Sequence, residues 1–226
     1  MKIIFYTTIA LFIATSCNDK DNKQTNQDFA EQRSVKASGI EYKIVNETPN
    51  EALNKNNIDI ELPSKTTREG LTVIANEIRS SRTKYNKLWI FYYLPGMAHG
   101  SGAWATTHFE PELSVNILGS TIEQSKQQKQ LVDSIEGAIV GKWNEEQATS
   151  SSYILLNRSG KLFLKTIFKN GQSMEREMRK RKVNQYLERL DYIESMHGEY
   201  FLINKEGQLE FLNKNNKRFA TGKPVK

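Results

Sequence analysis

The sequence predicts an α+β protein in two parts. A small sheet-plus-helix N-terminal domain spans 39–121, and an antiparallel β-meander over 136–226 forms either a mini-barrel or a curled sheet. One capped amphipathic helix sits among half-buried strand patterns in the first part. Strand-like runs recur roughly every ten residues in the second, punctuated by Asn and Gly. Between them lies Gln124–Gln130, a Gln- and Lys-rich stretch with no apolar period. At 226 residues, 38% hydrophobic and 26% charged, the chain has material for one large core or two small ones. That composition excludes a collagen-like, multispan-membrane or fully disordered chain.

Residues 1–16 read as a secretory signal, with Lys2 as the positive n-region and Ile3–Ile13 as a short apolar stretch. A transmembrane helix needs about 20 apolar residues, and this run gives way at once to Cys17-Asn18-Asp19-Lys20. Ala14-Thr15-Ser16 before Cys17 resembles the lipobox of bacterial lipoproteins, with Ala14 where the usual box carries Leu and Ile13 one place earlier. The resemblance implies cleavage before Cys17, acylation of its thiol, and a cell-envelope address. Asn18-Asp19 is unlike the common inner-membrane retention signal, which favours the outer membrane, at its periplasmic face or on the cell surface. The alternative is an ordinary signal peptide with an unrelated cysteine. Residues 17–38, rich in Asn, Gln, Asp, Lys and Ser, read as a disordered tether.

In the first domain, Tyr42–Val45 and Ile58–Leu62 alternate with period two and read as strands. Thr66 with Glu69 forms a capping box for a helix carrying Leu71, Ile74, Ala75 and Ile78 on one face and ending near Arg82. Leu88–Leu94 is apolar on both faces, as a central strand under that helix would be, and Pro95-Gly96 stops it. Trp104–Phe109 and Leu113–Leu118 supply two further strands. The segment 122–135 reads as a linker or an exposed helix. From residue 136 onward there are 17 Lys and Arg against 11 Asp and Glu, so the whole excess of +6 lies in the second domain.

That domain carries seven strand-like runs, at 139–143, 153–156, 162–168, 174–183, 186–193, 200–203 and 209–212. Asn170-Gly171 and similar pairs supply the positive φ of hairpin turns. Gly141-Lys142-Trp143 resembles the Gly-x-Trp opening of lipocalin-like barrels, in which the Trp closes one end. The resemblance implies a late-strand cation over that indole, for which Arg218 or Lys217 is placed. The 86 residues from Gly141 onward are short for a full lipocalin. Tyr93-Leu94-Pro95-Gly96-Met97 with Gly100-Ser101-Gly102-Ala103-Trp104-Ala105-Thr106-Thr107-His108-Phe109 resembles a segment of an uncharacterised bacterial family, a likeness that carries no activity with it.

His99 and Ser101 share a Gly-rich loop after the central strand, a usual place for functional groups. A nucleophile elbow requires Gly two positions before the serine and a helix after it; here His99 holds that position and no helical pattern follows. His108 and Glu110, with Glu112 nearby, would share one face of a strand. The chain has three histidines, however, and its one cysteine is assigned to lipid, so no metal set is complete and no cofactor is implied. Arg176, Arg179, Lys180, Arg181 and Lys182 form the densest basic run; Arg179, Arg181 and Lys182 are its candidates for an anionic partner. Export disfavours nucleic acid and leaves a protein, a glycan or anionic lipid as possible partners.

The reading that follows is a lipid-anchored envelope protein acting as a non-enzymatic binding or structural module. The alternatives are a secreted hydrolase centred on His99, Ser101 and His108, and a carrier of small apolar ligands in the β domain. The anchor is testable by fractionation. A Cys17→Ala variant is expected to leave the membrane fraction and lose its mass increment of acyl chains; a variant that stays membrane-bound and is processed like the parent refutes the lipobox.

Overall fold

The computed structural model describes residues 34–37, 39–185, 187–193 and 197–225. The signal segment, Cys17 and most of the expected tether lie outside them, as does Tyr186. Two sheets divide the described chain. The first is six-stranded, in the order β1 (Ser34–Ala37), β2 (Ile40–Asn50), β3 (Lys55–Glu61), β4 (Lys87–Tyr93), β5 (Ala105–Phe109) and β6 (Leu113–Ile117). All neighbours are antiparallel except β3 and β4, which run parallel because helix α1 (Arg68–Ser80) crosses between them. The sheet begins earlier than the sequence suggests: β1 falls inside the segment read as tether and pairs with β2 through Ala37 and Ile40.

The apolar stripe of α1 decides which face of the sheet is buried. Leu71, Ile74, Ala75 and Ile78 pack on Ile58, Ile60, Leu88, Ile90 and Tyr92, all essentially without solvent exposure. The helix cap is Thr67, whose hydroxyl accepts from the Gly70 N–H at 3.2 Å, and not the expected Thr66. Tyr42 on β2 donates to Glu77 of α1 at 3.1 Å, and burial beside that carboxylate pushes its phenol up to about 12. No helix among the described residues is long and apolar enough to cross a membrane.

The second sheet closes into an eight-stranded antiparallel barrel: β7 (Ala138–Glu145), β8 (Ser151–Arg158), β9 (Lys161–Ile167), β10 (Ser173–Asn184), β11 (Leu187–Tyr192), β12 (Tyr200–Ile203), β13 (Leu209–Leu212) and β14 (Arg218–Pro224). Eight strands fit because β12 and β13 have four residues each and the turns are tight. The eighth, β14, escapes the sequence pattern because Gly222 and Pro224 interrupt it. The barrel interior is filled by Trp143, Tyr153, Leu155, Leu164, Met178, Leu190, Phe201, Leu209, Phe211 and Ala220. Phe211 meets Tyr153 and Phe201 edge-on, with centroids 4.9 and 5.0 Å apart.

Trp143 is buried in the barrel core and held by contacts other than those the resemblance implies. Its indole N–H donates to the Gly207 carbonyl at 2.6 Å, and Gly141 and Gly222 lie against the side chain. Neither Arg218 nor Lys217 stacks on it among the described residues; Arg218 instead pairs with Glu210 at 2.9 Å.

The segment read as a linker is helix α2 (Ile122–Asp133), which begins with a complete capping box between Thr121 and Gln124. Val132 packs on Ile154, Leu156 and Ile167, and the buried Gln128 amide donates to the carbonyls of Ser150 (2.9 Å) and Ile167 (3.2 Å). This explains the unbroken buried run Ser151–Leu156 on β8, which faces the barrel interior on one side and α2 on the other. Sheet, helix and barrel belong to one compact unit.

A Cβ at Gly141 would overlap the six-membered ring of Trp143. Gly141→Ala is therefore expected to lower stability by about 1–3 kcal/mol, seen as a lower denaturation midpoint with an unchanged m-value. An unchanged midpoint would show that Trp143 is free to move.

Candidate functional site

The Gly-rich loop after β4 is shaped by its own sequence. Pro95 and Gly96 occupy the centre of a turn closed by Met97 N–H to Leu94 C=O at 3.0 Å, and Gly96 has the positive φ of 81° that this turn requires. His99 leans on the Tyr93 ring at a centroid distance of 4.7 Å, and the Gly100 N–H donates to the Tyr93 hydroxyl at 3.1 Å. Trp104 then anchors the return. Its indole N–H donates to Ser120 C=O at 2.9 Å, and its carbonyl accepts from the N–H groups of Leu118 and Gly119.

The barrel grips this loop through the β7–β8 turn. Glu145, 1% exposed, accepts from the backbone N–H groups of Gln147, Ala148 and Thr149 and from the Thr149 hydroxyl, at 2.6–2.9 Å. Its carboxylate thereby fixes the turn that presents Gln147. The Gln147 amide accepts from Ala98 N–H and donates to the carbonyls of Ala98, Ser101 and Gly102. Glu146, beside it, accepts from Lys65 and Ser120 at 2.7 and 3.1 Å.

Between loop and barrel lies a cleft of about 530 Å³, walled by Pro95–Ala98, Asn144–Gln147 and the start of β14. Its charged groups are unequally satisfied. Both acids are engaged, Glu145 by four donors and Glu146 by Lys65. Among the cations, Arg218 has Glu210, Lys223 donates to the Pro95 carbonyl at 2.8 Å, and the Lys217 ammonium has no carboxylate among the described residues. Phe219, 46% exposed, adds an apolar surface to this basic wall. The arrangement suits an occupant with negative charge and some apolar character.

The residues singled out from sequence do not converge. Ser101 lines the cleft, yet its hydroxyl bonds neither His99 nor His108. His108 lies on the sheet face away from α1, stacked on Trp89 at 4.4 Å, while His99 sits on Tyr93; Trp89 and Tyr93 are four positions apart on β4, about 13 Å of strand. Glu110 is taken by Lys87, and no group of three metal-binding side chains occurs among the described residues. On the β10–β11 hairpin, Lys180 pairs with Glu188 and Arg181 with Asp191, and Arg176 covers the Tyr192 ring. Arg179 and Lys182 stay exposed, without a carboxylate among the described residues. Cys17 lies outside the described residues.

Sequence reading missed Lys65, Gln147 and Lys223, whose partners are remote along the chain. A lysine beside two serines also invites a catalytic reading. The Lys65 ammonium, however, spends its three hydrogens on Ser120 (2.7 Å), Ser125 (2.6 Å) and Glu146 (2.7 Å), so it acts as a donor and a lock, not as a base.

Comparison with protein-family models, with curated proteins and with solved structures finds no match to this chain.

Burial, and then the Lys55 ammonium, lower the His108 imidazole from its usual 6.5, with Glu110 opposing. The unfolded chain therefore binds the proton more readily, and the contribution of His108 to stability is full above about pH 6.5 and falls as the pH drops below it. In an NMR titration His108 should show a midpoint below 6.5 that moves up in Lys55→Met. A midpoint indifferent to that substitution would remove Lys55 from the account.

Proposed function

We propose that the protein is a lipid-anchored cell-envelope component, held at the outer membrane through Cys17, and that it works as a non-enzymatic binding module whose partner enters the cleft between the Gly-rich loop and β14. One observation carries the reading: the cleft walls are held in place before any partner arrives. Glu145 fixes the turn, Gln147 holds the loop by four hydrogen bonds to the backbone of Ala98, Ser101 and Gly102, and Lys223 ties β14 to Pro95. A wall already ordered loses little conformational entropy on binding. The barrel supports the site from behind, its own interior occupied by Trp143, Tyr153, Phe201 and Phe211.

A photo-crosslinking residue placed at Phe219 in intact cells tests this. It should give a discrete adduct that disappears when Lys217 and Lys223 are both changed to Glu, while the same residue at Val183 on the β10–β11 hairpin gives none. Equal labelling from both positions, or none from Phe219, would refute the cleft as the partner site.

A further inference from the structure

The barrel seam is thin on one side. β14 pairs with β13 from Arg218 to Gly222, with an irregularity at Phe219 and with Leu209 opposite Gly222 and Phe211 opposite Ala220, whereas its register with β7 comprises Lys223 with Asn144 and Pro224 with Trp143. Val225 N–H continues that seam by donating to Lys142 C=O at 2.9 Å. Continued the other way, the register would set Thr221 opposite Glu146, but β7 ends at Glu145, where the chain turns. Main-chain groups alternate sides along a strand. Since Val225 points to β7, Thr221 points the same way and Gly222 and Ala220 point to β13. The N–H and C=O of Thr221 therefore face the cleft instead of a neighbouring strand, and the residues from Lys217 to Thr221 form part of the cleft wall.

We propose that the cleft binds an extended acidic peptide segment of a partner protein, which adds as a strand to the free edge of β14. Backbone pairing at Thr221 gives such a segment its register. The side chains beside that edge set its sequence: the Lys217 ammonium, which has no carboxylate among the described residues, calls for one, Lys223 adds positive charge beyond its bond to the Pro95 carbonyl, and exposed Phe219 calls for an apolar residue. A strand presents alternate residues to one face, so a segment alternating acidic and apolar residues satisfies both demands. The acids of the cleft do not oppose this charge match, because Glu145 is held by backbone N–H groups and Glu146 by Lys65. The proposal rests on the cleft being the partner site.

The test is fluorescence anisotropy with the full chain in detergent and a labelled peptide of four Glu-Val repeats, with four Lys-Val repeats as control. The acidic peptide should bind saturably and the basic one should not. Lys217→Glu with Lys223→Glu should weaken binding about tenfold or more. Thr221→Pro removes the N–H that faces the cleft and leaves the β13 ladder intact, so it should weaken binding about tenfold with little change in melting temperature. Absence of binding, equal binding of the basic peptide, or binding unaffected by Thr221→Pro in a folded variant would each overturn strand addition. Should the Phe219 crosslink form while the peptide fails, strand addition alone falls; if the crosslink fails as well, the cleft reading falls with it.

Discussion

The ammonium of Lys65 is the constraint on which the arrangement of the molecule turns. It lies four positions beyond the end of β3 at Glu61, its side chain is 14% exposed, and its three donors reach Ser120 after β6, Ser125 in the first turn of α2 and Glu146 in the β7–β8 turn. One charged group thereby joins sheet, helix and barrel. Losing it would leave Glu146, whose side chain is 35% exposed, without its cation and with Ser120 as its remaining donor, and would remove the group that joins the three elements. Gln147 follows Glu146 directly, so the clamp on the Gly-rich loop inherits its position from the same lock. Lys169, donating to the Leu118 carbonyl at 2.7 Å, adds a second tie between the two halves.

Elements whose pattern is local could be read from the sequence. The stripe of α1 and the alternation of β3 each repeat within a few residues and need no knowledge of a partner. α2 was harder, because its buried face consists of Gln128 and Val132 and has little apolar contrast with the rest. β14 was missed for a related reason: its inward residues are Ala220 and Gly222, too small to register as a hydrophobic strand. Long-range partners were not legible at all. The basic run on β10 offers candidates for an anionic partner in the sequence, and the fold answers two of its residues, Lys180 and Arg181, across the hairpin by Glu188 and Asp191. His99 and His108 looked like reactive groups, and each has become an aromatic neighbour of β4.

β4 also shows how one strand serves two environments. Leu88, Ile90 and Tyr92 enter the core under α1, whereas Trp89 and Phe91 face the other way. There Trp89 is sandwiched, with His108 stacked on it and the Lys55 ammonium 3.5 Å from its ring centre. The lysine gains cation–π attraction and at the same time disfavours a proton on the neighbouring imidazole. An open sheet face thus keeps its large rings covered by polar side chains and not by a second layer of structure.

The pairing of β14 with β7 places the first and last strands of the barrel side by side, with residues 146–217 of the chain between them. A chain made from its N-terminus can complete the six-stranded sheet as soon as β6 exists, yet it cannot close the barrel until Pro224 has been made. Assembly is therefore ordered in time, with the Gly-rich loop formed first and the cleft opposite it completed last. A chain cut before Lys223 would lack the seam and leave β7 as a bare edge. The two-residue seam between β14 and β7 thus governs whether the other strands form a closed surface.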